Sequence, residues 1–164
     1  MRGVTSNLVS PAACELRAMW SAARVASRLC LISRVLRPLC RRKIHGAGHD
    51  QAILSLQMDA DLRSVFNWNV KQLFVYVTAE YETEANVLNQ VVVWDQIVTE
   101  PQHAWIRSSS VANKYSLTDQ GYGLKSNNVT LVVNWNTVPS TGLLTLHHSY
   151  SSVHTFDVPE EYSS

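Results

Sequence analysis

Val70-Lys71-Gln72-Leu73-Phe74-Val75-Tyr76-Val77-Thr78-Ala79-Glu80-Tyr81-Glu82 is the stretch that decides the fold class. Leu73, Val75, Val77, Ala79 and Tyr81 fall on one side of a period of two, and Gln72, Phe74, Tyr76, Thr78 and Glu80 fall on the other. Successive side chains of a strand point to opposite faces, so this alternation predicts a strand whose first set of residues faces a core. Upstream, Leu54, Leu56, Met58 and Ala60 alternate with Ser55, Gln57 and Asp59 and predict a second half-buried strand. Downstream, residues 87–98 hold Val91, Val92, Val93, Trp94, Ile97 and Val98, a run that reads as a strand buried on both faces. Further strand candidates are residues 105–108, 114–117, 129–138, 143–148 and 154–158. Between the runs lie residues that favour tight turns, at 66–69, 119–123, 126–128 and 139–142. Seven or eight strands at this spacing, with no long helical periodicity after Asp50 and no internal repeat, predict an all-β, sandwich-like domain.

Charge divides the 164 residues into two pieces that the net value of +1 conceals. Residues 1–49 carry nine Lys or Arg against the single acid Glu15, a net of +8, whereas residues 50–164 carry five basic and twelve acidic groups, a net of −7. The first piece is a basic, Arg-rich N-terminal segment and the second is the folded domain. Leu29, Ile32 and Leu36 fit helical spacing before Pro38, so residues 15–37 are expected to be helical or else part of a disordered tail. Residues 45–49 read as a linker. Cys14, Cys30 and Cys40 all lie in the basic piece, at spacings that match no zinc-ligand pattern, so the acidic domain has no thiol for a disulfide or a metal. No run of about twenty apolar residues marks a membrane span. The cluster Arg41-Arg42-Lys43 lacks interleaved aromatics and does not point to nucleic acid.

Catalytic constellations are scarce. The sequence has no GxSxG elbow, glycine-rich phosphate loop, HExxH or SxxK motif. Lys114 follows Ser110 by four residues, a spacing without special standing. His147 and His148 are adjacent, so a strand would turn them to opposite faces and away from any shared metal ion; His154 is the remaining histidine nearby. Glu80, Glu82 and Glu84 alternate and read as a solvated strand end. Trp68 and Trp135 each sit in an Asn-Trp-Asn triplet whose amides suit a turn, which leaves a surface role open for both, while Trp94 within the valine run reads as core. Asn128-Val129-Thr130 is an N-glycosylation sequon placed at a turn leading into a strand. Neither a metal nor a cofactor is expected.

Several ordered stretches resemble a known family. They are residues 66–74 (FNWNVKQLF), Ala79-Glu80-Tyr81, residues 88–95 (LNQVVVWD), Gly123-Leu124-Lys125, residues 128–131 (NVTL) and residues 134–139 (NWNTVP). In this order and spacing the sequence resembles subunit 3 of the signal peptidase complex, over roughly residues 53–162. The resemblance implies a non-catalytic accessory subunit, partnered by the catalytic signal peptidase subunit and the other subunits of the complex. It implies a place in the endoplasmic reticulum membrane with the β-rich domain facing the lumen, where signal peptides are removed from nascent proteins. It also implies that Asn128 carries the family's glycan, and it carries over no catalytic residue. The family's anchor helix is not recognisable in residues 1–49, where Arg24, Arg28 and Arg34 would each cost about 2.5–3.5 kcal/mol at a bilayer centre. Phe66, Asn67, Trp68 and Asn69, an aromatic turn flanked by amides, are the candidate interface. The competing reading is a soluble β-sandwich interaction module with a basic targeting or membrane-surface helix.

Overall fold

The structure, a computed structural model, describes residues 29–44, 47–120 and 123–160. It is all-β, with eight strands: β1 (Leu29–Ile44), β2 (Ala47–Asp61), β3 (Val70–Tyr81), β4 (Asn89–Val98), β5 (Trp105–Ala112), β6 (Leu117–Asp119), β7 (Asn128–Pro139) and β8 (Thr145–Asp157). One antiparallel sheet runs β1-β2-β5, with β6 also on β2; the other runs β4-β3-β7-β8. β5 and β6 share one side of β2, β5 against Ser55 to Asp61 and β6 against Asp50 to Ala52.

The alternation that opened the sequence reading becomes the core. Leu73, Val75, Val77, Ala79 and Tyr81 of β3 are all buried, and Leu54, Leu56, Met58 and Ala60 of β2 face them from the other sheet within one hydrophobic cluster. Val129, Leu131, Val133 and Trp135 extend the cluster along β7. Burying a side chain of this size contributes about 1.5–3 kcal/mol, so the two facing rows are what hold the sheets together.

Besides the linker expected over residues 45–49, which from Ala47 is strand β2 paired with β1, four local expectations change. The helix expected over residues 15–37 lies outside the described residues up to residue 28, and from Leu29 the chain is strand, paired with β2 from Leu29↔Ala60 to Ile44↔Ala47. The ladder slips between Val35 and Arg37 and again between Arg37 and Cys40, around Pro38. Proline lacks the N–H a ladder needs and is tolerated at irregularities of an edge strand, which β1 is. The proline read as a helix stop is therefore a break in a β ladder. Secondly, β4 is not buried on both faces: Val93, Trp94 and Val98 are buried, while Val92 and Ile97, paired with Thr78 and Phe74, face away from the core and are exposed. Val93 is an extra residue between the pairs Val77↔Trp94 and Thr78↔Val92, a bulge. Its carbonyl accepts from the amides of Lys114 (2.9 Å) and Tyr115 (3.0 Å), clipping the two sheets together at that edge.

Thirdly, Lys114 and Tyr115 serve in that clip, and the short strand begins only at Leu117. Finally, the candidates at 143–148 and 154–158 are parts of one strand, β8, with an irregularity opposite Leu131 and Val133. Among the described residues no helix is long and apolar enough to cross a membrane.

Candidate functional site

Phe66, Asn67, Trp68 and Asn69 form the turn that leads from the end of β2 into β3 and so carries the chain from one sheet to the other. Leu62, fully buried, roots this connection: its amide donates to the Ala104 carbonyl at 2.9 Å, and its own carbonyl accepts from Val65 at 3.0 Å. Phe66 packs against the core. Asn67 then closes an Asx-type turn, its side-chain oxygen accepting from the Asn69 amide at 2.9 Å while its carbonyl accepts from Val70 at 3.1 Å. Trp68, between the two asparagines of this turn, projects outward, 92% exposed.

Asn69 joins this turn to a second one. Its side-chain nitrogen donates to the Thr141 carbonyl at 2.9 Å, and its side-chain oxygen accepts from the Thr141 amide (3.1 Å) and hydroxyl (3.2 Å). The Asn69 carbonyl also accepts from the Ser140 amide at 2.6 Å. The connection between β7 and β8 is thereby held against the connection between β2 and β3. It presents Leu143 (90% exposed) and Leu144 (67% exposed) at the same end of the molecule. Gly142 turns the chain there with φ of 115°, a conformation that a side chain would strain. Leu143 and Leu144 were read only as the start of a strand; a hydrophobic pair directly after a Pro-Ser-Thr-Gly turn is the signal that marks them.

Trp135, in the second Asn-Trp-Asn triplet, has the opposite fate. It lies in β7, 5% exposed, with the His147 ring stacked on it at 5.8 Å between centroids. Asn134 beside it is buried and donates to the Thr78 hydroxyl at 2.8 Å across the ladder. Of the remaining tryptophans, Trp94 is core, as expected. Trp105 is half-exposed; its indole N–H donates to Asp59 at 2.8 Å, and the Arg63 and Arg107 guanidinium carbons stand 4.9 and 5.8 Å from its ring.

Asn128 opens β7 at the far end of the molecule and is exposed, with Thr130 two residues on and half-buried. Asn127 anchors the approach: its side-chain nitrogen donates to the carbonyls of Glu82 and Gly123, its side-chain oxygen accepts from the Asn128 amide at 2.7 Å, and its carbonyl accepts from Val158. Asn127 thus acts at this end as Asn69 does at the other, and sequence reasoning assigned neither role. β3 ends at Tyr81, so of Glu80, Glu82 and Glu84 only Glu80 is on a strand, where its carboxylate accepts from Gln90 at 2.7 Å.

Several titratable groups are engaged in structural pairs. Lys114 does not turn to Ser110: its ammonium sits 3.0 Å from Asp95, while the Ser110 hydroxyl bonds Ser55 at 2.8 Å. The hydrogen bond from Lys114, and a second from Tyr115, hold the Asp95 carboxyl below its ordinary range, and the bond to Asp95 raises Lys114. Burial, followed by its hydrogen bond to Asp119 at 3.0 Å, pushes the Tyr81 phenol well up. His154 is half-buried in β8 and His147 is engaged with Trp135. Among the described residues no group of three or more His, Cys, Asp or Glu could hold a metal ion.

The geometry is therefore that of a β-sandwich with an apolar tip at one end and a sequon at the other. Comparison with known proteins agrees with the resemblance. The family model described as Signal peptidase subunit matches residues 25–161. Curated relatives named Signal peptidase complex subunit 3 include those of Dictyostelium discoideum, 48% identical over 69% of this chain and 65% of its own length, and Drosophila melanogaster, 43% identical over 71% and 65%. The Homo sapiens protein of that name is 42% identical over 69% of this chain and 66% of its own. The chain thus spans about two thirds of the length of these relatives. With the family model covering β1 through β8 and relatives 42–48% identical, the chain belongs to the signal peptidase subunit family.

Proposed function

We propose that this chain is an accessory, non-catalytic subunit of the signal peptidase complex, supporting the removal of signal peptides from nascent proteins at the endoplasmic reticulum. The observation that carries this reading is the family match over β1 to β8, together with relatives named Signal peptidase complex subunit 3. Peptide cleavage is then the work of the catalytic subunit, and this chain acts by association with that and the other subunits. The sandwich faces the lumen, where Asn128, exposed at the start of β7, receives a glycan.

Affinity purification of the tagged full chain from solubilised membranes tests the reading. The expected result is co-isolation of the catalytic signal peptidase subunit and a glycosidase-sensitive mobility that disappears in Asn128→Gln. Recovery of the chain without any signal peptidase subunit would overturn it.

A further inference from the structure

The end of the second sheet that carries the sequon also holds an open cleft of about 380 Å³. It lies over two cross-strand rows on the outer face of that sheet. One row is Gln90, Glu80, Thr130 and Thr155, paired in succession across β4, β3, β7 and β8. The other continues the same register by one same-face step beyond the β3 ladder and brings Leu88 and Glu82 into line with Asn128. Asn128 is therefore both the sequon asparagine and part of the cleft wall. We propose that the cleft seats the first N-acetylglucosamine of a glycan on Asn128, so that the sugar lies across β3 towards Leu88 instead of standing free in solvent. The inference rests on the reading of Asn128 as a glycan carrier and adds where the glycan goes and what holds it.

Three observations choose this occupant. The first is the tether. Neighbouring strands are about 5 Å apart, so Glu80 and Glu82 stand one strand spacing from Asn128 and Leu88 two. A group attached to the Asn128 side chain begins at the cleft and has only those spacings to cross. A short tether of this kind gives an effective concentration in the millimolar range, so individually weak contacts suffice to hold the sugar.

The second observation is the chemistry of the lining, which suits a neutral, hydroxyl-rich group with one apolar edge. Leu88 is 58% exposed and offers an apolar contact for the acetyl methyl. The Thr130 and Thr155 hydroxyls stand 3.3 Å apart, and each can both donate and accept. The Glu80 carboxylate, positioned by its 2.7 Å bond from Gln90, keeps further acceptor capacity for sugar hydroxyls, and Glu82 adds a second carboxylate. An anionic occupant would instead meet Glu80, Glu82 and, across the ladder from Asn128, Asp157.

The third is that both walls are braced. Asn127 fixes the approach to Asn128 through the Glu82 and Gly123 carbonyls and the Asn128 amide. On the opposite side the Thr83 and Asn86 backbones bond each other at 2.9 and 3.2 Å. The Asn89 side chain reaches the Tyr81 carbonyl and the Thr83 hydroxyl, so the turn that presents Leu88 is held before any sugar arrives. A preformed seat loses less on ordering than one that must be assembled.

A stability cycle on the full chain, purified in detergent from cells that glycosylate it and trimmed by endoglycosidase to the single sugar on Asn128, tests the proposal. The trimmed chain should melt above Asn128→Gln, and Leu88→Ser with Thr155→Ala should remove most of that difference. In the Asn128→Gln background the same two substitutions should leave the melting temperature nearly unchanged, because both side chains are exposed. An amidase that cuts the sugar from Asn128 should act on the native double variant about three- to tenfold faster than on the unmodified chain, with equal rates after denaturation. Equal melting shifts in the two backgrounds, or a native amidase rate unaffected by the double variant, overturn the proposal and leave Asn128 a glycan carrier. A chain whose mobility a glycosidase leaves unchanged even after denaturation overturns both. If the cycle is null and Asn128→Gln binds an oligo-arginine peptide that Glu80→Gln releases, the cleft belongs to a cationic peptide instead.

Discussion

Replacing Asn69 by alanine should uncouple the two turns that make the apolar tip, at a cost that the geometry bounds. The substitution deletes one donated and two accepted hydrogen bonds, all to Thr141. A hydrogen bond contributes about 0.5–1.5 kcal/mol net, and these are exposed enough for water to replace part of each, so the sum should fall near 1–1.5 kcal/mol. The backbone bond from Ser140 to the Asn69 carbonyl survives any side-chain change and limits the loss. For a chain of this size that corresponds to a fall of roughly 3–5 °C in melting temperature. Asn69→Asp is the informative companion, since it keeps an acceptor for Thr141 but turns a carboxylate oxygen towards the Thr141 carbonyl. It should be destabilised at neutral pH and recover part of the loss in acid, where a protonated carboxyl can donate again. Urea unfolding gives the free energies, and amide exchange at Thr141 reports the local opening directly. A change below about 0.3 kcal/mol in Asn69→Ala, with exchange at Thr141 unaltered, would refute the claim that this side chain joins the turns.

Thr78→Val keeps the shape of a β-branched residue but removes the acceptor for the buried Asn134 amide. It should cost about 1–3 kcal/mol in unfolding free energy, whereas Thr78→Ser should cost less than half as much. Gly123→Ala would bring a Cβ to 2.4 Å from the Thr83 methyl. A loss of about 1–3 kcal/mol is expected, largely recovered by adding Thr83→Ser, which removes the offending methyl; no recovery would assign the loss to backbone effects instead. Tyr81, whose folded pKa is raised above its ordinary 10.0, contributes stability that is complete below pH 10 and is lost as pH rises towards the folded value. Unfolding midpoints measured between pH 8 and about 11.5 should therefore fall more steeply in the unmodified protein than in Tyr81→Phe, and equal slopes would contradict this assignment.

How much of the fold was legible depended on whether the deciding contact was local. β3 was readable because its inward face meets the other sheet along its whole length, so the pleat alone sets which residues are apolar. β4 was readable as a strand but not as an edge. Val91 to Val93 and Ile97 have the composition of a doubly buried strand, yet Val92 and Ile97 point to the outer face of their sheet, which no second layer covers among the described residues. β1 was misread because Leu29, Ile32 and Leu36 satisfy helical spacing, while the pairing with β2 that makes them strand is a tertiary contact. The composition break near residue 50 is real in charge, yet the β1-β2 ladder runs across it.

The site shows the same division within three residues. Asn-Trp-Asn occurs at 67–69 and at 134–136, and the triplets are chemically identical. At 134–136 the neighbours Val132, Val133, Thr137 and Val138 prolong a strand, so the tryptophan enters the core and the first amide bonds across the ladder to Thr78. At 67–69 the triplet follows a short 3-10 turn at Arg63–Val65; Asn67 closes the turn, and Asn69 reaches Thr141, 72 residues away. The turn could be read from the sequence, but its use could not. That depends on Leu143 and Leu144 being carried to the same place by a clamp between distant segments. A single exposed tryptophan on a turn is ordinary; a tryptophan and two leucines held at one end of the sandwich by a clamp between segments 72 residues apart are visible only once that clamp is formed.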